Sequence, residues 1–155
     1  MIPKDAVVFI NKPFHFATYE VFDGFTLPEL LEKWFFAAGE IPVACASIDF
    51  KVGGKFCVTE QRNEVSIVHR GKYVEIEPPL HLAFSLEAPL HFTGVTYVSI
   101  FIQPKRYGCE LNLTQTGVSP EKMEATWHVM LRQLENVLAE TFQEQSFHAA
   151  VLAHH

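Results

Sequence analysis

The side chains able to do chemistry in this chain are histidines, cysteines and a few neighbouring carboxylates. The eight histidines contain no His-Glu-x-x-His helix pattern and no Cys/His finger spacing, so no metal and no cofactor is expected. His148, His154 and His155 lie in the tail, and His81 is expected on the outer face of its strand. His69, His91 and His15 remain as candidates for pointing inward. His69 shares parity with Val65 and Ile67. It reads either as a core histidine bonded to one polar neighbour or as a group that orients a ligand or acts as a base. Glu75 and Glu77 share a strand face, and paired carboxylates suit acid–base work. They alternate with Val74 and Ile76, which are expected to take the core side, so both carboxylates read as solvated. Cys45, Cys57 and Cys109 are odd in number and follow no metal spacing; buried, reduced, inert thiols are the reading. Gly53-Gly54 leads into a strand, so no helix N-terminus is offered to a phosphate, and a hairpin turn is expected. No complete set of nucleophile, base and oxyanion donors is visible, and no catalytic residue is assigned.

Binding is better represented than catalysis. Trp34, Phe36, Phe84, Met123, Trp127 and Met130, with His69 and His91, form the candidate ligand-binding set. Aromatic and methionine side chains at helical spacing can be ordinary core or can line a pocket between layers. The segment from Leu86 to Thr93, with Pro89, His91 and Phe92, reads as a loop at the mouth of such a pocket.

The element that must position these residues is one long amphipathic helix from Ser119 to Phe142. Ser119 is the expected N-cap and Pro120 suits the first helical position. Met123, Trp127, Met130, Leu131, Leu134 and Leu138 recur at three- and four-residue steps and make one apolar stripe. A stripe this long needs a sheet as its partner, and the middle of the chain supplies one. Ala6 to Ile10 reads as a first strand. Two short helices follow, Phe16 to Phe25 and one begun by Thr26 as cap and ended by Gly39. From Ala44 the apolar period becomes two. Cys45–Phe50, Lys55–Glu60, Val65–Ile76, Leu80–Leu86, Gly94–Gln103 and Tyr107–Thr116 read as strands, with a bulge or bend expected at Gly71. Leu80, Leu82, Phe84 and Leu86 should share the core face. Short links make an antiparallel meander. The fold class is α+β, in the order strand, two helices, six strands, long helix.

Length and composition fit one domain, residues 1–155, with a core from about residue 5 to 143 and a weak tail over 144–155. Apolar residues are 48% and charged residues 19%, which is globular rather than disordered. The net charge of −6, with no Lys/Arg cluster, argues against nucleic acid and anionic membranes as partners. No apolar run is long enough to span a membrane, and the N-terminus lacks a signal-peptide pattern. With unpaired cysteines, this gives a cytoplasmic expectation. The strand Val95–Ile102 is apolar on both faces: Val95, Tyr97 and Phe101 on one, Val98, Ile100 and Ile102 on the other. Only one face can meet the helix, which motivates a homodimer hypothesis.

Three segments resemble a known family. Trp34 followed by Ile48-Asp49-Phe50-Lys51-Val52-Gly53-Gly54 is similar to the Trp and Asp-x-Arg-x-Gly-Gly segment of proteins resembling the heat-shock-protein-90 ATPase activator. Gly71-Lys72-Tyr73-Val74-Glu75-Ile76-Glu77-Pro78-Pro79-Leu80-His81-Leu82 resembles the family's Glu-Ile-x-Pro-Pro-x-Arg-Leu segment. Thr126-Trp127 with Leu131 and Leu134 resembles its Gly-Trp helix. Lys51 and His81 stand where the family has Arg, and Thr126 where it has Gly; the threonine is expected to narrow the interior or push the helix outward. The resemblance implies the START-like, helix-grip fold: a curved antiparallel sheet of about seven strands around a long C-terminal helix, with an apolar cavity between. It also implies a choice of functions, since the family includes a co-chaperone domain and a self-sacrificing antibiotic-resistance protein. Binding of a small hydrophobic or aromatic ligand is the first expectation. A co-chaperone-like interaction domain is the alternative, and a cyclase- or hydrolase-like enzyme in the same interior is a third.

Overall fold

A computed structural model describes residues 6–36, 46–62 and 64–143. Seven strands form one antiparallel sheet: β1 (Val7–Phe14), β2 (Ala46–Ile48), β3 (Lys55–Arg62), β4 (Val65–Glu77), β5 (His81–Glu87), β6 (Thr96–Lys105) and β7 (Gly108–Thr116). Their spatial order is β1-β7-β6-β5-β4-β3-β2. Everything after β1 is a meander, and β1 returns to pair with the last strand, Val7 opposite Thr116 and Phe14 opposite Cys109. The helices α1 (Thr18–Thr26) and α2 (Pro28–Leu31) connect the two edge strands, and α3 (Pro120–Leu138) closes the chain's main body. This is the helix-grip architecture that the resemblance implies, and it agrees with the order of elements read from the sequence.

Period-two patterning decides which face is inside. Phe56 and Val58 on β3, Leu82, Phe84 and Leu86 on β5, Val98, Ile100 and Ile102 on β6, and Cys109, Leu111 and Leu113 on β7 are buried. The helical stripe meets them with Met123, Trp127, Met130, Leu131, Leu134 and Leu138, all buried. Pro120 takes the first turn of α3 as expected, but the Ser119 hydroxyl makes no capping bond, and the helix gives way to a wider π-turn over Ala139–Gln143. At α1 the carboxylate of Glu20 accepts from the Ala17 N–H at 2.8 Å, one arm of a capping box.

Several expectations need correction. Strand β1 runs four residues past Ile10, through Pro13, which an edge strand tolerates. Thr26 does not cap α2: it ends α1, its hydroxyl donating to the Phe22 carbonyl at 3.0 Å, and Leu27 holds the cap position. The register shift in β4 falls between Tyr73 and Glu75, not at Gly71. Tyr73 keeps the inward parity of His69 and is buried, while Val74 is the extra residue and is exposed, against the expectation that Val74 takes the core side; parity reverses only beyond it, where Ile76 packs against the core. Gly71 has a different reason to be glycine, since the Phe56 ring and the Ser85 carbonyl occupy the space a Cβ would need. Leu80 lies exposed in the turn before β5, not on the core face. Thr126 is half-buried beside the helical stripe, its hydroxyl donating to the Lys122 carbonyl at 3.3 Å. Gly39, Cys45 and the 144–155 tail lie outside the described residues.

Candidate functional site

On the concave face, β3 carries Phe56, Val58 and then Glu60. Strict alternation turns all three inward, so the strand's apolar row ends in a carboxylate that is 3% exposed. Strand β4 pairs Val58 with His69, which sets His69 diagonally across from Glu60 on the same face and completely buried. The third member comes from the loop after β5. There the His91 and Phe92 N–H groups both donate to the Ala88 carbonyl, at 2.8 and 3.0 Å, and the tight turn aims His91 back into the interior. The result is convergent: Glu60 Oε1 lies 2.7 Å from His69 Nε2 and 2.8 Å from His91 Nε2.

Phe36 roofs this cluster. Its ring centroid is 4.8 Å from that of His69 and 4.6 Å from that of His91. Its backbone has a positive φ of 53°, uncommon for an aromatic residue. The Phe36 N–H donates to the Met130 sulfur at 3.2 Å, tying the roof to α3. The three ligating atoms lie within 4.8 Å of one another. Two imidazoles and a carboxylate so placed can hold a polar ligand group, pass a proton or coordinate a cation.

The other expected site residues divide. Trp127, completely buried, donates from Nε1 to Gln115 Oε1 at 2.8 Å; Gln115 donates to the Thr96 hydroxyl at 3.0 Å, and Thr96 to the Leu86 carbonyl at 2.9 Å. Trp34 donates to the Gly24 carbonyl at 2.8 Å and packs edge-on against Phe25 and Phe35. Phe84 packs against Phe35 and Phe56, and Met123 is buried on the helical stripe. A void bordered by Phe25, Leu31, Phe35, Phe56, Tyr73 and Phe84 amounts to about 10 Å³, room for no more than a water. The structure therefore gathers Phe36, His69, His91 and Met130 into one locality and packs Trp34, Phe84, Met123 and Trp127 into the core.

His15, a candidate inward histidine, is exposed and lies edge-on to Tyr107. His81 takes the outer face as expected, stacked on Phe101 with centroids 4.1 Å apart and with Nδ1 3.2 Å from the exposed Glu75. Glu77 is also exposed. Cys109 is fully buried, and burial, aided by the Glu20 charge, pushes its thiol up to about 11. Cys57 lies on the outer face and is half-buried, where a buried thiol was expected. The site residue that sequence reasoning missed is Glu60. Its signal was present as parity with Phe56 and Val58, but it stood at the end of the strand, where polarity reads as a turn.

Among the described residues, no helix is long and apolar enough to cross a membrane. Similarity to solved structures covers nearly the whole chain. A protein of unknown function from Staphylococcus aureus superposes with a TM-score of 0.79 at 18% identity, over 89% of this chain and 96% of that one. A protein from Rhodobacter sphaeroides gives 0.76 at 23% identity, over 90% and 97%, and the AHSA1-like protein from Aeromonas hydrophila gives 0.75 at 16%, over 87% and 93%. At these identities the likeness is one of fold. The comparison with curated proteins found no match. The family model described as Activator of Hsp90 ATPase homolog 1-like protein matches residues 17–139, from the start of α1 to the end of α3, and the chain belongs to that family.

Proposed function

We propose that this protein is a small-molecule-binding domain whose site is the polar end of the sheet–helix interior, formed by Glu60, His69 and His91 beneath Phe36. The observation that carries this reading is the convergence of three titratable groups on an inner face built mostly from apolar side chains. Burying a carboxylate is costly unless it is well partnered, and a core needs no such group to be stable. The ligand class is an apolar or aromatic molecule with a hydrogen-bonding head: the head meets Glu60 and the histidines, and the body displaces Phe36. His91, on a loop and with a side chain 10% exposed, is the point of entry. Native mass spectrometry of the purified protein, before and after gentle denaturation, tests the reading together with a fragment screen by two-dimensional NMR. Bound mass that is lost in His91→Gln, or fragments that shift the resonances of residues 60, 69 and 91, are the expected results. Mass retained in Glu60→Gln/His91→Gln protein, or a screen whose binders all map elsewhere, would overturn it.

A second reading rests on the opposite face. Phe9, Tyr97 and Phe101 are each more than half exposed, at 59%, 57% and 54%, on the outer surface of β1 and β6 with β7 between them. We propose that this face carries a protein contact, a second copy of the chain in the first instance and a co-chaperone-like partner in the alternative. Sedimentation at high micromolar concentration should show a dimer that Phe101→Asp dissociates. A wild-type monomer under those conditions removes the homodimer.

A further inference from the structure

We infer that Glu60, His69 and His91 form a binding site for a first-row divalent transition metal, with zinc as the reference ion and one coordination position left for water or an anionic oxygen. The inference goes beyond the organic-ligand reading, because the metal needs only these three side chains.

The donor set is the first argument. Two imidazole nitrogens and one carboxylate oxygen suit zinc, iron and their neighbours, whereas magnesium and calcium select oxygen. Three protein ligands with an open position is the arrangement of exchangeable, reactive zinc sites rather than closed structural ones.

Geometry is the second. Both Nε2 atoms already address one carboxylate oxygen, at 2.7 and 2.8 Å. A tetrahedral ion with bonds of about 2.0–2.1 Å keeps its ligands about 3.3 Å apart. The two nitrogen–oxygen separations must therefore open by only about half an ångström, and the two nitrogens, within 4.8 Å of each other, settle to the same spacing. Where the carboxylate oxygen accepts from both rings, each ring donates from a proton-bearing Nε2. A ring that gives Nε2 to the metal carries that proton on Nδ1 instead and stays neutral.

Rigidity and access are the third. Glu60 and His69 sit on paired strands, whose register holds the two donors in place. The Phe36 ring lies against both imidazoles, and the two imidazoles meet edge-on with centroids 5.5 Å apart. Among the three ligand side chains His91 is the most exposed, at 10%, which supplies an entry path and a place for the fourth ligand. Spacing along the chain could not reveal the site. His69 and His91 lie 9 and 31 residues from Glu60, on separate elements, so no contiguous ligand motif exists.

The test uses zinc alone, added to the full chain in which His148, His154 and His155 are replaced by Gln to remove competing imidazoles. Calorimetry should show one Zn²⁺ per chain, undisturbed by excess Mg²⁺. Glu60→Gln and His91→Gln should each weaken binding by more than about 100-fold, since even outer-shell partners of metal ligands are worth 10–100-fold. Long-range ¹H–¹⁵N spectra should show the rings of His69 and His91 changing from Nε2-protonated to Nδ1-protonated. Cobalt should give the intense visible absorption of a low-coordinate site. Binding at full affinity in Glu60→Gln/His91→Gln protein, or zinc that leaves both ring spectra unchanged, would overturn the inference. A thermal melt of each metal-free variant separates a lost site from a lost fold. Organic fragments that bind the metal-free protein would leave the ligand reading standing if the metal site fails, and zinc binding without such fragments would do the reverse.

Discussion

The interior holds two buried polar groupings built on opposite principles. One runs from the Trp127 indole through Gln115 and Thr96 to the Leu86 carbonyl. Every member is neutral, each donor meets one acceptor, and the line ends on backbone. The other gathers Glu60, His69 and His91 around a single carboxylate oxygen. Every member there is titratable, and two donors converge on one atom. A neutral, satisfied chain fixes how helix and sheet dock at little cost. A buried carboxylate between imidazoles is a poor stabiliser relative to apolar packing. The contrast places the docking of α3 on the first grouping and leaves the second as the candidate site.

The largest effect should come from breaking the docking line. Trp127→Ala removes a fully buried ring and leaves the Gln115 oxygen without its donor. A loss of about 3–5 kcal/mol is expected in denaturant unfolding, with Gln115→Leu costing about 1–3 kcal/mol. If Trp127→Ala costs under about 1 kcal/mol, the ring is not the anchor described here. The titratable grouping should respond in the opposite sense. Replacing Glu60, His69 and His91 together by leucine removes the three titratable side chains at once, and stability should be unchanged or higher by about 1–4 kcal/mol. A clear loss in that triple variant would make the cluster structural and erase the contrast.

The smallest effect concerns dryness. Cys109 shares the inner face of β7 with Gln115, and its thiol is pushed up to about 11 from an ordinary 9.0, burial being the main cause. The folded state thus keeps the proton that the unfolded chain releases from pH 9 upward. Its contribution to stability is full below pH 9 and declines as pH rises toward 11. In a Cys45→Ser background at pH 8, a thiol reagent should modify Cys57 readily and Cys109 only on unfolding. Equal rates would show water beside Gln115.

These groupings were unequally legible in the sequence. The apolar stripe of α3, the alternation of β5 to β7 and the hairpin at Gly53-Gly54 follow from local periodicity and turn chemistry, and they hold in the structure. Trp127 and Met130 were readable as inward-facing, but not whether they faced space or neighbours, because that depends on how tightly Phe35 and Phe36 fill the layer. His69 was legible by parity and Glu60 equally so, yet their meeting required the register of β3 against β4. His91 required the backward turn at Ala88. Val74 shows the limit of parity arguments: one inserted residue changed which side chains of β4 face in.

The pairing of β1 with β7 carries a consequence for synthesis. Val7 waits for Thr116, more than a hundred residues later, while β3 to β7 can zip as successive hairpins. A nascent chain emerging from the ribosome therefore holds an apolar first strand, with Val8, Ile10 and Phe14, that has no native mate until the final strand appears. Closure of such a long loop is entropically slow. Until it happens, the growing polypeptide exposes a sticky strand, and this interval is where it is most vulnerable to aggregation and in most need of a chaperone.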